Sequence, residues 1–339
     1  MPTPDARAGT LVTPPEESGA IPGLVWGTFF DGREATVVDT EPRKPGPGQW
    51  LWLHFNLADM RARNWLSASV LLPKPAMDWL LGGDDTQQLV PLPDCVAGVF
   101  FDLIHDFDRT ADDFGNVRFL LTDRLLISGR KRPAASIESV RRRLEAGQRF
   151  ATPVDLLQAM VAQIADTIEG IVDGLSAEID EVEDSILKEG VRDERIRLGR
   201  ARLTAVRVHR RLNGLRGLLR RTSVGHIDGL PEALVAAAGP LTVRLDDIDH
   251  DVIELRDRAR LLQEELGARV AEQTNRNLRV LSVLTAVLLP PALIAGLYGM
   301  NLEGVPFAQS PVGFWIAVLI TLASSGLALL GLKLAGVLK

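Results

Sequence analysis

Cysteine is almost absent. Cys95 is the single one among 339 residues, which excludes an intramolecular disulfide and any Cys-rich metal cluster. Aromatic residues are few, at 5 %, with one tyrosine, Tyr298. No phosphate loop, zincin motif or nucleophile elbow occurs, so no enzyme is expected. Residues 1–20 read as a flexible start: they carry Pro, Glu and Ser but lack the apolar core of a signal peptide. The bulk of the chain is expected to stay on the side where it is made. The formal net charge of -6 argues against nucleic acid as a partner.

Charge is scarce in one place above all. From Val280 to Lys339 the only charged residues are Glu303, Lys333 and Lys339. Two uncharged runs result, Val280 to Leu302 and Gly304 to Leu332, each longer than the roughly 20 apolar residues that a bilayer core requires of a helix. The expectation is a two-helix transmembrane hairpin, 278–298 and 313–334, with a connection over 299–312. Gly304, Pro306, Pro311 and Gly313 break helices in that connection, and it holds no Lys or Arg. Arg276 and Arg279 precede the first span and Lys333 and Lys339 close the second, which puts both termini in the cytoplasm by the positive-inside rule. Phe314 and Trp315 stand where an interfacial anchor would be useful. Two spans cannot enclose a water-filled path, so ion conduction would require an oligomer.

Upstream the pattern divides in two. Residues 21–150 read as a mixed α/β domain, with strands over Leu24–Phe30, Ala35–Val38, Trp50–Leu57, Val96–Ile104 and Val117–Ser128 and helical spacing over Arg61–Leu81. His54 and His105 follow the strand pattern as ordinary, partly buried residues. Residues 151–225 read as a helical hairpin. Its first arm carries Glu178, Asp180, Glu181, Glu183 and Asp184, five carboxylates in seven residues. Such a run is a solvated face by default, and by its sharper reading a weak divalent-ion site. The second arm, Arg192 to Arg221, holds eleven arginines, and charge pairing with the acidic arm is the economical account.

A stalk helix is expected over 230–277. From Leu241 the apolar positions Leu245, Ile248, Val252, Leu255, Leu262, Leu266 and Val270 keep helical spacing, and no proline interrupts Leu241–Leu289. One helix from Leu241 to Tyr298 would be about 87 Å long. The same stripe continues as Asn275, Leu278, Leu281, Thr285, Leu289 and Ala292. This uncharged face suits a pore that closes by dewetting, or equally the packing of the two spans against each other. Pro290-Pro291 inside the span predicts a bend or a loosened helix.

Tyr298-Gly299-Met300-Asn301, at the end of the first of two terminal spans, resembles the CorA family of divalent-cation transporters. Asn301-Leu302-Glu303-Gly304-Val305-Pro306, Gly313-Phe314, Trp50-Leu51-Trp52-Leu53-His54 and Leu71-Leu72-Pro73 are similar to its ZntB-like zinc branch. Met300 departs from the Val frequent in that branch, and the basic tail is reduced. The resemblance implies a homopentamer in the bacterial inner membrane, its α/β domain cytoplasmic and its first span lining a central pore. Gly299, Met300, Asn301 and Glu303 would then form the outer mouth. Asn275 would be an inner polar ring, and Leu278 and Leu281 a hydrophobic constriction. The cargo would be a divalent cation, Zn2+ favoured and Mg2+ possible, with no tightly bound cofactor. The rival readings are a magnesium or cobalt channel of the CorA type and a membrane-anchored cytoplasmic scaffold.

Overall fold

A computed structural model describes residues 20–32, 34–103, 114–187, 193–300 and 312–336. By contacts the chain forms two compact units, Met1–Glu183 with Arg197–Arg260, and Asp184–Ile196 with Leu261–Lys339.

The first unit is built on a seven-stranded sheet. Its strands are β1 (Leu24–Asp31), β2 (Glu34–Val37), β3 (Gln49–Asn56), β4 (Gln88–Leu92), β5 (Cys95–Leu103), β6 (Phe114–Leu121) and β7 (Leu125–Arg130). The spatial order is β2-β1-β3-β7-β6-β5-β4. Every pairing is antiparallel except β3 with β7, which the intervening elements join as a crossover. β3 and β5 are apolar on both faces because both faces are covered.

On one face Leu51, Leu53 and Phe55 meet Leu66 of α1 (Met60–Ala68) and Met77 and Leu80 of α2 (Lys74–Leu81). Each such side chain removed from water contributes roughly 1.5–3 kcal/mol. The other face carries α3 (Ala135–Glu145) and the long helices α4 (Pro153–Leu187), α5 (Glu194–Ser223) and the first part of α6 (Glu232–Tyr298). Phe100 and Phe119 of the sheet share a lined space there with Leu157, Leu215 and Leu241.

Three expectations change. The segment Val117–Ser128 is not one strand but β6 and β7, folded back at Thr122–Arg124. The turn has neither Gly nor Pro; Thr122 closes it by accepting from the Arg124 amide and donating its own amide to Leu125. The helical stretch Arg61–Leu81 is two helices, because Ser69 and Pro73 take extended backbone between them. β4 and α3 add elements that the sequence pattern did not show. β4 contains Pro91, which an edge strand tolerates and a periodicity reading rejects.

The long helices come as expected, and longer. α4 opens on a capping box in which the Asp155 amide donates to Thr152 Oγ1 and the Thr152 amide to Asp155 Oδ2. α5 runs unbroken through Asn213-Gly214 and Gly217, held by buried Leu212, Leu215 and Leu218. α6 begins at Glu232, near the start expected for the stalk, and accommodates Pro240, with Leu234, Ala238 and Leu241 buried around it. The stripe Leu245, Ile248, Val252, Leu255, Leu262 and Leu266 is buried, but Val270 is exposed.

A repeated ion-pair clamp sets the register of α4 against α6. Arg244 bonds Asp166 and Glu169 at 2.6 Å each. Arg258 bonds Asp180 at 2.6 Å and also Glu183. Both the arginines and the Asp-x-x-Glu pairs are spaced by fourteen residues, four helical turns, so the two helices run parallel. The groups are partly exposed, and such pairs specify register more than they stabilise.

Candidate functional site

Among the described residues, two helices are long and apolar enough to cross a membrane, α6 in its last part and α7 (Gly313–Leu334); no residue of either apolar window is buried. Within α6 the partly covered residues are Val283, Ala286, Val287, Pro290, Pro291, Ile294 and Tyr298. At 100° per residue they make one stripe. The half-covered residues of α7 include Ala317, Thr321, Ser324, Ser325, Ala328 and Leu332, again one side of a helix.

Of the expected pore residues, Leu281, Thr285, Leu289 and Ala292 lie on the opposite side, while at Asn275 and Leu278 α6 is exposed all round. All six are exposed, and the first four are centred about 180° from the covered stripe. Leu278, Leu281 and Leu289 expose 54 %, 58 % and 67 % of their surface. The face that periodicity leaves open between pore and packing is therefore not the one that packs within this chain. It carries no charge, and the Thr285 hydroxyl is turned back to the Leu281 carbonyl at 2.8 Å.

α6 stays helical through Pro290-Pro291, so the expected loosening does not break it. Both prolines sit on the covered stripe, and so do Ala286 and Val287, whose carbonyls they leave without a helical donor. The helix stops where Gly299 donates to Ala295 O at 2.9 Å and Met300 donates to Leu297 O at 3.4 Å. Gly299 and Met300 are exposed at that end; Asn301 and Glu303 lie outside the described residues. α7 opens on Phe314 and Trp315, exposed and in edge contact at 5.4 Å, as an interfacial pair would be. Its hydroxyls at Thr321, Ser324 and Ser325 all donate to carbonyls of the same helix, leaving an apolar exterior.

The acidic run of α4 is engaged by arginine. Arg197 of α5 donates to Glu181 at 2.8 Å and to Glu178 at 3.4 Å, while Asp180 and Glu183 hold Arg258 of α6. The basic segment thus supplies one of the two partners and α6 the other. Among the described residues no three His, Cys, Asp or Glu side chains are grouped to hold a metal ion.

A polar network inside the sheet has no counterpart in the sequence reading. His54 is fully buried, with Nδ1 2.8 Å from Ser128 Oγ and Nε2 accepting from Arg130 Nε at 3.1 Å. Burial, and then the Arg130 charge, pull its pKa down to about 3, so the ring is neutral. Because Nε2 accepts, the proton sits on Nδ1 and is donated to Ser128, which also accepts from Trp52 Nε1 at 3.0 Å. Nearby Asp102, buried, has its pKa pushed up to about 6 by desolvation, against the bonds it accepts from Ser136 and Leu103. Adjacent register positions on β1, β3 and β7 carry this network: Trp26 faces His54, and His54 faces Ser128. His105 lies outside the described residues.

Comparison with known proteins places this architecture. Residues 47–334 match the family model described as CorA-like Mg2+ transporter protein. The divalent cation transporter CmaX of Pseudomonas aeruginosa is 26 % identical over 315 residues, 90 % of this chain and 93 % of that protein. The zinc transport protein ZntB of Pectobacterium carotovorum subsp. carotovorum is 25 % identical over 304 residues, 86 % of this chain and 89 % of that protein. The solved structure of full-length CmaX has the same fold, with a TM-score of 0.80 at 24 % identity over 94 % of this chain and 99 % of that one. The chain belongs to the CorA-like Mg2+ transporter family, whose members move divalent cations across membranes and are not enzymes.

Proposed function

We propose that the protein conducts divalent cations, zinc in preference to magnesium, through a central pore formed by five copies of α6 in the bacterial inner membrane. The observation that carries this reading is the bare, uncharged face of α6 from Leu281 to Ala292, set opposite the stripe covered within the chain. A hydrated cation passing such a face would meet two polar rings and apolar constrictions between them. Asn301 supplies the outer ring of neutral oxygen, Glu303 a collar that attracts cations, and Asn275 the inner ring. Leu278 and Leu281 form the gate by dewetting. Amide and carbonyl oxygens suit an ion that gives up water reluctantly, and the lack of Cys and His on this face keeps zinc from being trapped. Zinc is favoured by the Asn-Leu-Glu-Gly-Val-Pro sequence after Met300 and by the relationship to ZntB. Both termini are cytoplasmic, by Arg276 and Arg279 ahead of the first span and Lys333 at the end of the second.

Flux of Zn2+ and Mg2+ into proteoliposomes, with and without a pH gradient, tests the reading. Zinc flux should exceed magnesium flux, and Asn301→Ala should abolish both without changing the assembly size. Magnesium flux without zinc flux would overturn the choice of ion. Unchanged flux in the variant would remove Asn301 from the mouth.

A further inference from the structure

The end of the membrane hairpin remote from Gly299 carries positive charge that no described residue neutralises. Arg276 and Arg279 precede the first span, and Lys333 closes the second. All three are exposed, and among the described residues none of them makes an ion pair. Arg269, two turns earlier, differs: it is bonded to Glu265 at 2.7 Å and to the Ile186 carbonyl at 3.0 Å. Glu272 is the one acid between Glu265 and Glu303. Three cations thus stand against one carboxylate at this end of α6 and α7, a surplus of two positive charges.

Helix length fixes the depth of the cluster. Nineteen residues separate Arg279 from Tyr298, and twenty separate Gly313 from Lys333, about 28 and 30 Å of helix and so the thickness of a hydrocarbon core. Arg279 and Lys333 mark one edge of that core, and Arg276 lies about 4.5 Å beyond it, at the level of headgroups. At 100° per residue Arg276 and Arg279 stand on the side of Val283 and Val287, and away from Leu281, Thr285 and Leu289.

A recess opens beside them, within the second compact unit. Its lining includes Ile186, Leu266, Arg269, Glu272, Arg276 and Asn277, and it holds about 570 Å³. At roughly 30 Å³ per water that is space for about nineteen waters, enough for a lipid headgroup. The Arg276 guanidinium offers a fork of donors that matches two phosphate oxygens, and the Asn277 amide adds another donor to the same wall. Unpaired basic side chains at headgroup depth attract anionic lipid.

We propose that Arg276 and Arg279, with Lys333, bind an anionic phospholipid, its headgroup in this recess and its acyl chains along the apolar exterior of the hairpin. The inference rests on the membrane reading of α6 and α7, and not on the pore or the ion it carries.

Spin-labelled phosphatidylglycerol and phosphatidylcholine, each as a trace in phosphatidylcholine vesicles holding the full chain, test it by the fraction of label immobilised at the protein. Phosphatidylglycerol should associate about tenfold or more strongly than phosphatidylcholine. Arg276→Gln combined with Arg279→Gln should remove most of that preference, about fivefold for each charge lost. Glu272→Gln, which leaves both arginines in place, should raise it. Equal association of the two lipids, or a preference unchanged in the double variant, overturns the proposal. Free glycerol phosphate should not displace the label; displacement would make a soluble phosphate ester the occupant and overturn the lipid. Immobilisation of neither label would overturn the membrane reading itself, and the proposal with it.

Discussion

Lowering the pH from 7 to 5 should change the stability of the sheet by two titrations of opposite sign. His54 has its pKa depressed from 6.5 to about 3, so the unfolded chain binds this proton more readily. Its contribution is complete above pH 6.5 and is lost as the pH falls towards 3. Between pH 7 and 5 that loss is about 2 kcal/mol, from 1.36 kcal/mol per pH unit. Asp102 behaves oppositely, with its pKa raised from 3.8 to about 6. Its burial costs stability above pH 6 and the cost is relieved as the pH falls towards 3.8, by about 1 kcal/mol over the same interval. The wild-type sheet should therefore lose less than about 2 kcal/mol. Both groups are shielded from water, so no large discount for screening applies.

Asp102→Asn removes the compensating titration while keeping an acceptor for the Ser136 donors. It should expose the full loss of about 2 kcal/mol at pH 5. His54→Gln should do the reverse and make the sheet about 1 kcal/mol more stable at pH 5 than at pH 7. Amide hydrogen exchange of β3 and β7, corrected for intrinsic rates, reads these local opening free energies directly. A wild-type slope as steep as that of Asp102→Asn would refute the compensation. A flat profile in Asp102→Asn would refute the neutral, buried state of His54.

Two further outcomes are expected. Gly98→Ala in β5 places a methyl group 2.3 Å from the Phe119 ring and 2.8 Å from Leu89, and such overpacking should cost about 1–3 kcal/mol in chemical denaturation. Leu281→Asn puts a polar group in the proposed hydrophobic constriction and should raise ion leak in proteoliposomes while leaving the oligomer intact; unchanged flux would remove the gate from this position.

The membrane helices were legible because their signal is one-dimensional. Leaving out charge from Val280 to Leu302 and from Gly304 to Leu332 is a property of composition, which no tertiary contact overrides. The buried stripe from Leu245 to Leu266 was legible for the same reason, since helical period survives in the order of residues. β4, α3 and the β6–β7 turn were not, because a Pro-bearing edge strand and a turn without Gly or Pro carry no local signal. Only the folded chain decided which side of α6 is bare, since a face of small and apolar residues serves a pore and a helix contact equally. The same holds for the charges. Sequence order shows acidic and basic runs, but the fourteen-residue register that brings Arg258 to Asp180 and Glu183 exists only when α4 and α6 lie side by side. It is equally only the pairing of β3 with β7, 74 residues apart at His54 and Ser128, that turns an ordinary strand histidine into a neutral, buried one.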